Sequence, residues 1–212
     1  MATNHDEISF RDIYHQFLLV KDIDNKTRVI IEQTRAHIRK DDNAMLLFGY
    51  VDQEMGISYE FLCAACVYDD GEVAFEPMNI TTSFKFRYGS FQGDMTPVED
   101  TDILTNLHLE RANEVMDGYK APKDLMTVRG ITGLDASRAP GYPDDIVVYF
   151  SMDGYPPEGI WCRVVSIDAD TKRVQMRMLN EPYAPFGRHM DDIVDVALIK
   201  DDDSTIKAVA VL

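Results

Sequence analysis

The sequence predicts an α+β protein in two parts: an N-terminal antiparallel sheet with one or two packed helices, then a C-terminal five-stranded small β-barrel. Three observations carry that expectation. Between 45 and 75, apolar runs are broken by Asp52-Gln-Glu-Met-Gly56 and by Asp69-Asp70-Gly71, and Asp-Gly flanked by such runs is a strong hairpin signal. Between 103 and 119, Ile103, Leu104, Leu107, Ala112, Val115 and Met116 form an apolar stripe at helical spacing that ends at Gly118. Beyond 143, five strand-like runs fit into fewer than 70 residues, and short strands with little helix read as a small barrel. The expected organisation is an α+β domain over 1–120, a linker over 121–143 and the barrel over 144–212.

In the first part, Phe10, Ile13, Tyr14 and Phe17 have helical spacing, so a short helix starts near Ser9 with Ser9 or Asp6 as its cap. Leu18 to Lys21 reads as extended, and Asp22-Ile-Asp24-Asn25-Lys26 as a turn. Val29-Ile30-Ile31 is too short for periodicity to separate strand from helix. The preferred reading there is a hairpin, followed by an irregular or helical link from His37 to Asp42. The runs 45–51, 57–68 and 72–75 form an antiparallel meander. Over 81–88, Ser83, Lys85 and Arg87 alternate with Phe84, Phe86 and Tyr88, a further strand. After Gly93 a loop over 94–102 ends at Asp102, which caps the helix 103–119, and that helix packs on the meander.

The linker expectation rests on Gly130, Gly133, Pro140, Gly141 and Pro143 among few long apolar runs. The barrel strands are 146–150, 160–167, 173–179, 193–200 and 206–212, with turns at 168–172 and 201–204. Ile160, Cys162, Val164 and Ser166 fall on one side of an extended chain, and Trp161, Arg163, Val165 and Ile167 on the other. Val174, Met176 and Met178 alternate with Gln175, Arg177 and Leu179, the pattern of a half-buried strand. Asn180-Glu181-Pro182 stops it, because proline has no amide hydrogen and pushes its predecessor out of the helical region.

The order Glu158-x-x-Trp161-x-x-Val164, a hairpin, Leu179-Asn180-Glu181-Pro182 and Gly187 resembles an uncharacterised family of bacterial SH3-like small-barrel domains. Leu134-Asp135-x-x-Arg138 and Tyr142-Pro143-Asp144-Asp145 resemble its lead-in. Some members of that family sit in proteins classed as toxin-immunity candidates. The resemblance covers roughly the last 80 residues. It implies an SH3-like barrel and brings no catalytic residue.

Charge narrows the function. Lys and Arg number 21 against 37 Asp and Glu, a formal net charge of −16, which argues against direct contact with a phosphate backbone and for a basic partner such as a toxin or a nucleic-acid-binding enzyme. An acidic surface that only keeps the protein in solution is the plainer alternative. The first residues lack the basic start and apolar core of a secretory signal, and no run reaches the roughly eighteen apolar residues of a membrane span. Three cysteines, Cys63, Cys66 and Cys162, suit a reducing compartment better than a disulfide framework. A cytoplasmic protein without membrane contact is the expectation.

The motifs point away from several chemistries. Cys63-Ala-Ala-Cys66 has metal and redox spacing, but no second pair follows, and residues three apart on a strand face opposite sides. His108-Leu-Glu110 lacks the Pro-Cys-x-x-Cys that a zinc deaminase needs and reads as helix surface. The five histidines are scattered, and neither a phosphate loop nor a Gly-x-Ser-x-Gly elbow occurs. The acidic pairs Asp41-Asp42, Asp69-Asp70, Asp144-Asp145 and Asp191-Asp192 are expected mostly in solvated turns. No catalytic residue, metal or cofactor is assigned.

Candidate binding residues are Trp161, Asn180, Glu181, Tyr183, Phe186, Asp191 and Asp192. Trp161 is read first as a barrel core residue and alternatively as an exposed anchor. Tyr183 and Phe186 form, with Asn180, Glu181, Arg188 and His189, a polar and aromatic rim. The leading expectation is a non-enzymatic binding protein that neutralises a basic partner, of the immunity or anti-defence inhibitor type. The alternatives are a peptide-binding adaptor, with Trp161 and Tyr183 facing solvent, and an enzyme with a site near Arg138 and Asp144-Asp145.

Overall fold

Two six-stranded sheets organise the chain in a computed structural model that describes residues 9–78, 83–168, 170–171, 173–201 and 205–212. One belongs to the unit Met1–Lys120 and the other to the unit Ala121–Leu212. Residues 1–8, which include the alternative cap Asp6, residues 79–82, residues 169 and 172 of the expected 168–172 turn, and residues 202–204 of the expected 201–204 turn lie outside the described residues.

The first unit begins with helix α1 (Phe10–Ile13), where the Ser9 side chain accepts a hydrogen bond from Arg11 N. Strand β1 (Phe17–Lys21) follows as expected. The hairpin expected next is instead helix α2 (Asn25–Gln33), because Asp24 closes its N-terminus by accepting from Thr27 N at 2.7 Å. That cap satisfies an orphan amide and starts a helix whose Thr27 and Ile31 face inward, four apart. The link from 34 to 43 is irregular.

Strands β2 (Ala44–Asp52), β3 (Gly56–Val67) and β4 (Val73–Phe75) make the expected meander, and β5 (Lys85–Arg87) pairs with β3. The expected loop at 94–102 begins as a strand, β6 (Asp94–Pro97), which lies antiparallel to β1 at the sheet edge. Its single buried apolar residue, Met95, left no periodic signal, and its terminal proline suits an edge. Sheet order is β4-β3-β2-β1-β6. Strands β2 and β3 are buried along nearly their whole length. Met45, Leu47 and Tyr59 face Ile13 and Ile31, while Leu46, Phe48, Leu62 and Cys63 face Ala112 and Val115. At Gly49 a Cβ would sit 2.4 Å from the Ile13 carbonyl oxygen, so the glycine lets the end of α1 lie directly on β2.

Helix α3 (Asn106–Gly118) starts three residues later than expected for an Asp102 cap. The Thr105 side chain accepts from His108 N while His108 Nδ1 accepts from Thr105 N, a reciprocal capping box. Asp102 lies in a 3-10 turn, Thr101–Ile103. The buried face is therefore His108, Ala112 and Val115, and Leu107, expected inside, is 46% exposed.

The second unit is a closed five-stranded barrel with a helical lid. Residues 121–143, expected as a linker, belong to it: helix α4 (Lys123–Arg129), a 3-10 turn (Thr132–Ser137) and the short strand β7 (Arg138–Ala139). Ala121, Leu125, Val128 and Leu134 pack into the barrel core. The glycines and prolines that suggested a boundary punctuate elements too short to show a period.

The barrel strands are β8 (Tyr142–Phe150), β9 (Glu158–Ile167), β10 (Val174–Met178), β11 (Ile193–Lys200) and β12 (Ile206–Val211). Each pairs antiparallel with the next. An odd number of alternating strands brings first and last into the same direction, so β12 closes onto β8 as a parallel pair, Ala208 opposite Val148 and Val209 opposite Tyr149. Inward positions hold Ile146, Val148, Phe150, Ile160, Cys162, Val164, Val174, Met176, Met178, Val194 and Val196. Alternation with outward residues is the pattern of a filled small barrel.

Candidate functional site

Inward packing of Ile160 and Cys162 forces Trp161 outward, and it is 39% exposed. The core reading of Trp161 is thereby overturned, because strand side chains alternate faces and its two neighbours are wholly buried. On the adjacent strand, Val147 lies opposite Trp161 and Tyr149 opposite Gly159. Trp161 and Tyr149, 40% exposed, are therefore diagonal neighbours on the outer face.

The loop from Asn180 to Asp192 has almost no regular structure, yet side chains fix its backbone. Asn180 Oδ1 accepts from Trp161 N at 2.9 Å. Glu158, at the start of β9, accepts from Tyr183 N at 2.9 Å and from Ala184 N at 3.1 Å. Glu181 accepts from Met190 N at 2.9 Å and meets His189 Nδ1 at 2.6 Å. Asp192 accepts from His189 N at 2.9 Å, and Asp191 occupies the turn at φ 73°. Asn180, Asp191 and Asp192 thus shape the loop, and Glu181 ties its two ends together.

Two aromatic residues of this loop behave oppositely. Phe186, expected on the rim, is buried with its ring centroid 5.5 Å from that of Phe150 in the barrel core. It anchors the loop. Tyr183 is 101% exposed, fully in solvent. Beside it lies a groove of about 300 Å³ lined by Tyr155, Pro156, Pro157, Glu158, Tyr183 and Ala184. Sequence reasoning missed the Tyr155-Pro156-Pro157 wall, although consecutive prolines between a tyrosine and a strand were a visible signal for a stiff exposed surface.

Electrostatics at the loop tie favour the ion pair. The hydrogen bonds from Met190 N and His189 hold the Glu181 carboxyl below its ordinary range, and the bond to Glu181 holds the His189 imidazolium above its ordinary range. A raised histidine value gives a contribution fully present below the free pKa of about 6.5 and lost as pH rises through the raised one. A lowered carboxyl value gives one present above about 4.3 and lost as pH falls through the lowered one. Between those two limits the tie is intact. An NMR titration should place the His189 midpoint above 6.5, and Glu181→Gln should return it toward that value.

Arg138, Asp144 and Asp145, near which an enzyme site is the alternative expectation, are held in ion pairs. Asp144 and Asp145 lie in β8 instead of a turn, each in its own bidentate pair: Arg129 Nε and Nη2 on Asp144 at 2.8 and 2.6 Å, Arg163 Nε and Nη2 on Asp145 at 2.6 and 2.9 Å. Arg138 bonds Asp135 and the carbonyls of Pro143 and Val128. Alternation sends the two aspartates to opposite faces of β8, so they do not converge on one point.

His108 is buried instead of on the helix surface, with Nε2 3.7 Å from Cys63 Sγ. Its Nδ1 accepts from Thr105 N, so the proton of the neutral ring sits on Nε2 and points at the sulfur. A general base for Cys63 would need that nitrogen bare. Burial, with Glu76 and Asp42 adding to it, pushes the Cys63 thiol up, and burial pushes Cys162 up to about 12. Among the described residues, no group of three His, Cys, Asp or Glu is placed to hold a metal ion. No helix there is long and apolar enough to cross a membrane.

Charge is unequal between the units. Residues 1–120 hold 22 Asp and Glu against 11 Lys and Arg, and residues 121–212 hold 15 against 10. Both bodies are acidic, the first more strongly. Compared with protein-family models, with curated proteins and with solved structures, the chain matches none.

Proposed function

We propose that the chain is a non-enzymatic binding protein that masks a basic protein partner in the cytoplasm, of the immunity or anti-defence inhibitor type that its resemblance to the SH3-like small-barrel family implies. The observation that supports this reading most is a fully exposed Tyr183 on a loop whose backbone is already fixed by Glu158. An aromatic ring left in water costs free energy unless something covers it, and a prearranged loop loses little entropy on binding. Trp161 and Tyr149 are exposed on the outer face of β8 and β9, and the net charge of −16 selects a cationic partner.

The test is a pull-down with the full chain from its native host at low and at high salt, repeated with Tyr183→Ala. A basic protein retained at low salt, released by a tenfold rise in ionic strength and lost with the variant is the expected outcome. Retention unaffected by salt would count against a charge-driven partner. It would favour the second reading, an adaptor that takes a neutral peptide, for which the exposure of Trp161 and Tyr183 is the supporting observation.

A further inference from the structure

We propose that the groove between the Tyr155-Pro156-Pro157 wall and Tyr183 receives one arginine side chain of a basic polypeptide partner. This rests on the binding-protein reading above and specifies its contact. At about 300 Å³ the groove lies at the bottom of the range of small-molecule sites, roughly 300–1,000 Å³. That volume suits one long side chain better than a metabolite.

The lining has the two features that a guanidinium uses. Tyr155 and Tyr183 supply aromatic faces, on which a planar, weakly hydrated cation stacks better than an ammonium does. Glu158 supplies the charge. Its oxygens accept from Tyr183 N and Ala184 N, which lie on the loop side. A carboxylate offers about four lone-pair positions, so acceptor capacity remains for one further donor. Glu158 makes no ion pair among the described residues, unlike Asp144, Asp145 and Glu181. The prolines at 156 and 157 keep the opposite wall stiff, so little ordering is required on entry.

The experiment uses the full chain and three synthetic peptides of alternating glycine with arginine, lysine or citrulline, read by fluorescence anisotropy at low salt and by amide chemical shifts. The expected result is binding of the arginine peptide about tenfold tighter than of the citrulline peptide, and several-fold tighter than of the lysine peptide. Shifts should concentrate at Tyr155, Glu158, Tyr183 and Ala184, and Tyr183→Ala should weaken binding about tenfold. Tyr183 contacts nothing that its removal would unfold. Glu158→Gln, which keeps an acceptor for the loop amides, is the second variant and should weaken binding of the arginine and lysine peptides while leaving the citrulline peptide unaffected.

Binding of the arginine peptide with shifts confined to residues 9–120, or equal affinity for the arginine and lysine peptides above that for citrulline, would overturn the groove assignment and leave the basic-partner reading standing, whereas equal affinity for all three peptides would overturn both. Failure of both cationic peptides to bind at low salt would overturn both.

Discussion

Replacing Asp144 by alanine should cost the barrel unit about 3–5 kcal/mol, the loss typical of removing one partner from a buried ion pair. Arg129 and Asp144 are 3% and 5% exposed, and the guanidinium meets the carboxylate through two parallel hydrogen bonds. Without the carboxylate, a charge carried by α4 is left facing the barrel end with its main acceptor gone. The chain has one tryptophan, Trp161, and it lies in this unit. Fluorescence-monitored denaturant unfolding therefore reports this unit specifically.

Two comparisons separate the pairing from its setting. Asp145→Ala should cost less, because its partner Arg163 is more open, with a side chain 14% exposed. The double change Arg129→Met with Asp144→Leu should recover much of the loss, since a buried pair can be exchanged for apolar packing at little cost. A loss below about 1 kcal/mol for Asp144→Ala would show that water reaches the pair.

Phe150→Ala should cost about 3–5 kcal/mol as a large-to-small change at a wholly buried site. It should also loosen the candidate surface, because Phe186 packs on the Phe150 ring and anchors the loop that carries Tyr183. Hydrogen exchange at the Tyr183 and Ala184 amides, now held by Glu158, should speed up more than the loss of global stability explains. Tyr183→Ala is the control: at a fully exposed position stability should move by no more than about 0.5 kcal/mol. Unchanged exchange in Phe150→Ala would mean that the side-chain caps alone fix the loop.

How much of this was legible depended on the range of the forces involved. Strands with a clear alternation, such as Val174, Met176 and Met178, were readable because one face had to be apolar. Asp-Gly turns were readable for a local reason, the positive φ that Gly71 adopts. Helix α2 was misread because its decisive feature is one hydrogen bond from Thr27 N to the Asp24 side chain, outweighing three β-branched residues in a row. The start of α3 was misread similarly: Asp102 and Thr105 are both credible caps, and only Thr105 finds a reciprocal partner in His108.

At the candidate site the difference is sharper. Trp161 and Phe186 exchanged the roles expected of them. A tryptophan in a strand of apolar residues reads as core, and a phenylalanine in a loop with proline and glycine reads as surface. Burial was decided by the neighbours: Ile160 and Cys162 took the inner positions beside Trp161, and Phe150 offered Phe186 an apolar seat. The pairs at 41–42, 69–70 and 191–192 do lie in turns or loops, and only Asp144-Asp145 was misjudged, because both look like turn residues until Arg129 and Arg163 arrive opposite them.

By itself, then, the sequence determined the fold class, the order of the barrel strands and the acidic balance, since these follow from local periodicity, turn chemistry and composition. Only the tertiary structure decided that 121–143 packs into the barrel core, that Trp161 and Tyr183 face water, and that Glu158 holds the loop between them in place. Those outcomes depend on contacts between residues 15 to 43 apart along the chain, such as Arg129 with Asp144 and Asp124 with Ile167. No local pattern encodes which of several possible partners will be adjacent once the barrel has closed.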